Sequence, residues 1–179
     1  FKKDFGYEDW ANWVLDVPMY FIKRDGNYLN VAGASFRQFM SKGLKGHKAT
    51  LDDFEIHLST VFPQVRLKKF LEVRCADGGP IKFISALPAL WKAILYDEET
   101  RKKAWALMDD PTLDELNSFQ KDVAIKGFDA KYREQNCHDL CAALVDLARH
   151  SLVRQANKNS DGEDESIFLR AIEEVVERR

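Results

Sequence analysis

The densest chemistry in the chain lies in the ten residues 65–74, VRLKKFLEVR, and the turn that follows them. Hydrophobic and charged residues alternate there, a period of two that predicts a strand. Val65, Leu67, Leu71 and Val73 fall on one face, with Lys69 the exception. Arg66, Lys68, Phe70, Glu72 and Arg74 fall on the other. That second face gathers three cations around one carboxylate, next to a break at Ala76-Asp77-Gly78-Gly79-Pro80. Guanidinium groups pair bidentately with carboxylate or phosphate, and a glutamate can hold Mg²⁺. The same pattern also fits the outer face of an antiparallel sheet laced by cross-strand ion pairs. Periodicity does not separate the two.

Other residues offer less. His57 beside an apolar helical stripe reads as a hydrogen-bonded structural histidine more readily than as an acid or base. Asp16 before Val17-Pro18 reads as a residue that satisfies a turn. The loop 42–48, with Lys42, Lys45, His47 and Lys48, reads as solvated. Cys137 and Cys141 are four apart, so a helix puts both thiols on one face. They lack the further ligands that structural zinc requires, which favours two small buried residues in a reducing compartment. With Cys75 the thiols number three, an odd and widely spaced set that is no disulfide framework. No P-loop or dinucleotide fingerprint occurs.

The elements that must position these groups can be read in order. Residues 17–31 predict a hairpin about Asp25-Gly26. Ser35-x-x-Gln38 and Thr112-x-x-Glu115 are capping boxes, and Thr50 caps a helix with Leu51, Phe54, Leu58 and Val61 on one face, stopped by Pro63. Gly43 and Gly127 mark helix ends. Pro88 suits the first turn of a helix whose apolar stripe is Leu90, Trp91, Ile94 and Leu95. A helix over 98–108, another marked by Leu140, Ala143, Leu144 and Leu147, and a last one from Ile167 to Val176 complete the chain, with a polar linker at 157–165. Trp91 and Trp105 sit at core spacing. The fold class is α+β: strands and short helices over 1–80, then a mostly helical 81–179.

Bulk properties narrow the function. The 179 residues carry 27 basic and 29 acidic side chains, a net charge of −2, which gives no footprint for nucleic acid or an anionic membrane. No stretch reaches the ~20 apolar residues of a membrane span. The first residues lack a secretory leader and an initiator Met, so an N-terminal half is expected to be missing, and the expected compartment is the cytoplasm.

Several ordered blocks sharpen this reading: LDVPMYF (15–21), SFRQFM (35–40), HLSTVFPQVRLKKFLEVRCADGGP (57–80) and ALPALWKAILYD (86–97). Together they resemble the plant/proteobacterial glutamate–cysteine ligase family, closely over residues 7 to about 110 and more loosely beyond. The resemblance implies the C-terminal part of a glutamine-synthetase-like catalytic domain, with an antiparallel active-site sheet and helices outside it. It implies an ATP- and Mg²⁺-dependent ligase of glutathione biosynthesis that joins glutamate to cysteine through an acyl phosphate. By the same resemblance Glu72 is a Mg²⁺ ligand, Arg74 and Arg66 contact substrate or phosphate, and Trp13 and Tyr20 lie near the glutamate pocket. Most metal-binding carboxylates and much of the ATP site are implied to lie in an N-terminal half, so this part alone is expected to be inactive. Two departures stand out. The family usually has Gly where Cys75 stands, and the regulatory cysteines of plant members match Val31 and Ser85 here, so no such redox switch carries over. A different amide-forming ligase of the same fold, and a non-catalytic interaction domain, are the alternatives.

Overall fold

The computed structural model describes residues 4–178. The chain divides into two compact units, Phe1–Ala76 and Asp77–Arg179.

The first unit opens with helix α1, Tyr7–Asp16, followed by the hairpin of β1, Phe21–Arg24, and β2, Asn27–Asn30. Its two-residue turn places Asp25 at φ 47° and Gly26 at φ 79°. Both central residues at positive φ match the right-handed twist of the strands, which is why Asp-Gly occurs here. Helix α2, Phe36–Lys42, starts on the reciprocal box of Ser35 and Gln38 and ends at Gly43. Helix α3, Leu51–Thr60, starts on the reciprocal box of Thr50 and Asp53. Met19, Ile22, Val31, Phe36 and Phe39 form the buried core between the hairpin and these helices.

Two ion pairs brace this unit, one exposed and one buried at its carboxylate. Asp16 accepts from Arg37 at 2.6 Å, joining the end of α1 to α2. Asp53, 1 % exposed, accepts from both arms of Arg24 at 2.6 and 2.8 Å, and from the Thr50 amide and hydroxyl. His57 is also buried, its Nε2 2.9 Å from the Val14 carbonyl and its ring stacked on Phe36 at 5.4 Å. It is a structural histidine, as its place beside an apolar stripe suggests.

Residues 65–74 differ from the single strand expected. They form a second hairpin, β3, Val65–Leu67, and β4, Leu71–Val73, with Arg66 opposite Glu72. The reversal falls at Lys68-Lys69-Phe70, where the Lys68 amide donates to the Phe70 carbonyl at 2.9 Å.

The second unit is built from α4, Ile81–Leu95, α5, Glu98–Ala106, α6, Leu113–Lys126, α7, Cys137–Gln155, and α8, Arg170–Glu177. A two-residue pair, β5, Lys131–Tyr132, with β6, Gln135–Asn136, precedes α7. Helix α4 begins seven residues before Pro88, which therefore lies inside it instead of in its first turn. Its buried line is Ala86, Ala89, Ala93 and Ile94, while Leu95 is exposed and Leu90 and Trp91 are only partly buried. Small residues there let α4 and α7 approach closely, with Ala89 and Ala93 against Ala148 and Leu152 of α7 and against Leu169 just before α8. Ser151 donates to the Ala93 carbonyl at 2.8 Å across that seam. Trp105 is 56 % exposed, so it is not the core residue its spacing suggested.

The architecture is α+β, with three separate two-stranded antiparallel pairs and no larger sheet among the described residues. No described helix is long and apolar enough to cross a membrane.

Candidate functional site

Helix α3 and the hairpin behind it build the site from consecutive sequence. After Thr60 the chain leaves α3 through Val61-Phe62-Pro63, and Pro63 cannot continue a helix. The carbonyls of Ser59 and Val61 are thereby left at the helix end, where they need donors. Arg66 supplies them: its Nη1 donates to Ser59 at 2.9 Å and to Val61 at 3.4 Å.

The other side of the Arg66 guanidinium faces Glu72. Nε donates to Oε2 at 2.8 Å, and Nη2 lies 2.7 Å from the same oxygen. Arg74 Nη1 donates to the second oxygen, Oε1, at 2.9 Å. Lys68 Nζ stands 4.0 Å from Oε2. The two guanidiniums, Arg66 first and then Arg74, hold the Glu72 carboxyl below the usual carboxylate range.

Both guanidiniums also lie over one aromatic ring. The Phe62 centroid is 5.5 Å from Arg66 Cζ and 5.2 Å from Arg74 Cζ. Cations at this distance are drawn to the ring face. Phe62 further lines a cavity of about 430 Å³ together with Trp13, Tyr20, Val17, Met19 and Gly33. Trp13 and Tyr20 are 44 % and 55 % exposed.

The structure thus brings together Arg66, Glu72 and Arg74, and separately brings Trp13 beside Tyr20. Phe62 is common to the two groups, although nothing in the sequence pattern singled it out; its one signal is its position between a helix end and a proline. The three charged residues share a face as expected, because positions 66, 72 and 74 keep their parity whether the segment is one strand or two. Arg66 is buried, at 6 %, and the Glu72 and Arg74 side chains are 28 % and 34 % exposed. The cross-strand ion pair weighed as an alternative is present. Even so, among the described residues Arg74 donates side-chain hydrogen bonds only to Glu72, so its remaining N–H groups are available to an anion.

The arrangement suits anion binding better than metal binding. Both Glu72 oxygens already accept from guanidinium groups. No group of three or more His, Cys, Asp or Glu side chains among the described residues could hold a metal ion. The residues present therefore do not by themselves fit Mg²⁺, which prefers near-octahedral oxygen ligation. Cys75 at the end of the hairpin is exposed and unbridged.

The family model described as glutamate–cysteine ligase family 2 matches residues 1–178. The chain is 38% identical over 179 residues to glutamate–cysteine ligase A, chloroplastic, of Oryza sativa subsp. indica, covering 98% of this chain and 35% of that protein. It is 39% identical to the chloroplastic glutamate–cysteine ligase of Medicago truncatula and 40% identical to that of Nicotiana tabacum, covering 34% and 33% of those proteins. The chain spans about a third of the length of the curated relatives it matches. Their chloroplastic designation overturns the expectation of a cytoplasmic protein, which rested on unpaired thiols and a missing leader, features compatible with more than one compartment.

Proposed function

Because the chain belongs to glutamate–cysteine ligase family 2, we propose that it is part of an ATP-dependent ligase that joins the γ-carboxylate of glutamate to the amine of cysteine. The observation that carries this reading is the Arg66–Glu72–Arg74 cluster on the β3–β4 hairpin, next to the cavity lined by Trp13, Tyr20 and Phe62.

Forming an amide from a carboxylate requires activation, and an acyl phosphate formed from ATP does this without a nucleophilic side chain. Such chemistry asks the protein for positioning and charge neutralisation. Arg66, fixed by Glu72 and two backbone carbonyls, supplies a positive charge that cannot swing away. Arg74, held by one arm, turns its other N–H groups toward a carboxylate or phosphoryl oxygen. Glu72 anchors both arginines and keeps their forks in register. Trp13 and Tyr20 line the pocket for the substrate glutamate. Mg²⁺ would supply Lewis-acid neutralisation, with ligands drawn mainly from the remaining two thirds of the protein. In the complete enzyme the β3–β4 hairpin adds to a larger antiparallel sheet of glutamine-synthetase type.

Mutual pairing of the three charged side chains favours a second reading, a non-catalytic interaction surface. Steady-state kinetics of Arg66→Lys and Arg74→Lys in the full-length enzyme separate the two. Lysine keeps the charge and loses the planar fork. The ligase reading predicts a fall in kcat of about 10²-fold, the scale of a lost transition-state donor, whereas the interaction reading predicts unchanged constants.

A further inference from the structure

Far along the chain from the proposed site, the first turn of α7 holds Cys137 and Cys141 with their sulfurs 4.0 Å apart. Cys137 is 7 % exposed and Cys141 half-buried. Among the described residues each thiol has only the other as a hydrogen-bond partner. The backbone fixes the pair: the Cys137 amide donates to the Ala130 carbonyl at 2.8 Å, and both residues belong to a 19-residue helix. His138 cannot join them, since its Nε2 lies 2.6 Å from the Val176 carbonyl and its Nδ1 3.3 Å from Asp139.

We propose that Cys137 and Cys141 form a dithiol site for a soft monovalent d¹⁰ cation of the copper(I) class, with one coordination position left to an external thiol. With metal–sulfur bonds of about 2.3 Å, sulfurs 4.0 Å apart subtend an angle of about 120° at a shared ion, so no sulfur has to move. That angle belongs to trigonal coordination. A structural zinc ion wants four ligands, and the pair offers two. Thiolates select copper(I) over harder ions. Binding exchanges protons for metal: two thiols and one M⁺ give a bis-thiolate complex of net charge −1 and release two protons to solvent.

The test uses silver(I) as a redox-inert probe on the full chain carrying Cys75→Ala, which removes the exposed thiol. Native mass spectrometry is expected to show one silver bound per chain, with unchanged circular dichroism. Iodoacetamide labelling with peptide mapping, run long enough to label both thiols of the silver-free chain, is expected to show Cys137 and Cys141 protected together when silver is bound. Adding Cys137→Ala or Cys141→Ala is expected to abolish the retained silver. Should those variants fail to fold, the labelling map of the otherwise unmodified pair still decides. Protection of only one thiol, no retained silver, or binding that appears only with loss of helical signal would each overturn the proposal.

Discussion

Replacing Asp53 by Asn tests how α3 is held, and through α3 how Arg66 is held. Asp53 is the third residue of α3, 1 % exposed, and it closes the capping box with Thr50 while receiving both arms of Arg24. Removing one partner of a fully buried ion pair costs about 3–5 kcal/mol. An exposed pair is worth about 0–1 kcal/mol. The Arg24 side chain is 22 % exposed and keeps the Lys23 and Lys48 carbonyls at 2.7 and 3.2 Å, so part of its charge stays hydrated or bonded. The loss therefore falls between the two limits, at about 2–3 kcal/mol. For a chain of this size that lowers Tm by about 5–10 °C. Because the chain has two units, the sharper assay is amide hydrogen exchange along Leu51–Thr60. Protection there should fall about 30- to 150-fold, the same free energy read as an opening constant, while α7 is unchanged. Adding Arg24→Met to the variant should recover part of the loss, since it removes the orphaned cation. A change below about 0.5 kcal/mol would place the pair in the surface class and refute the reasoning.

Other outcomes follow from the same contacts. Glu115 is held at about 2, chiefly by Arg133 and also by Thr112, against an ordinary 4.5. Its contribution is therefore full above pH 4.5 and lost as pH falls from there toward 2, so amide protection of α6 should decline over that window, and Glu115→Gln should flatten the decline. Ser151→Ala leaves the Ala93 carbonyl without its donor in the α4–α7 seam and should cost about 1–3 kcal/mol by denaturant unfolding. In the full-length enzyme, Glu72→Gln should lower kcat while leaving the Mg²⁺ requirement unchanged if Glu72 anchors arginines; a raised Mg²⁺ requirement would make it a metal ligand instead. The 179-residue chain alone should release no phosphate with ATP, glutamate and cysteine, and clear turnover would contradict the proposal that the remainder completes the site.

How much was legible in the sequence varies with the physical signal. The first hairpin announced itself because Asp25-Gly26 is required by positive φ at two successive positions. The capping boxes at Ser35 and Thr112 were readable because they are local and use fixed spacings. The second hairpin was not, since Lys68-Lys69-Phe70 contains none of the residues that usually mark a turn and the alternation runs through it. The start of α4 was misplaced because its buried face is made of alanines, which give a weak hydrophobic signal beside an obvious proline. In the site, cross-strand parity made the common face of Arg66, Glu72 and Arg74 readable. Their ion pairing is one of the two readings the pattern allows, whereas the burial of Arg66 and the part played by Phe62 were not readable, because both depend on how the end of α3 meets the hairpin.

The most direct test of the central claim is the steady-state kinetics of Arg74→Lys in the full-length enzyme, with glutamate and ATP varied separately. There kcat and kcat/KM are expected to fall together by about 10²-fold or more, the signature of a contact made in the transition state. A rise in KM for glutamate with kcat unchanged would reduce Arg74 to a ground-state anchor, and normal constants for both substrates would contradict the claim that this hairpin face takes part in the reaction.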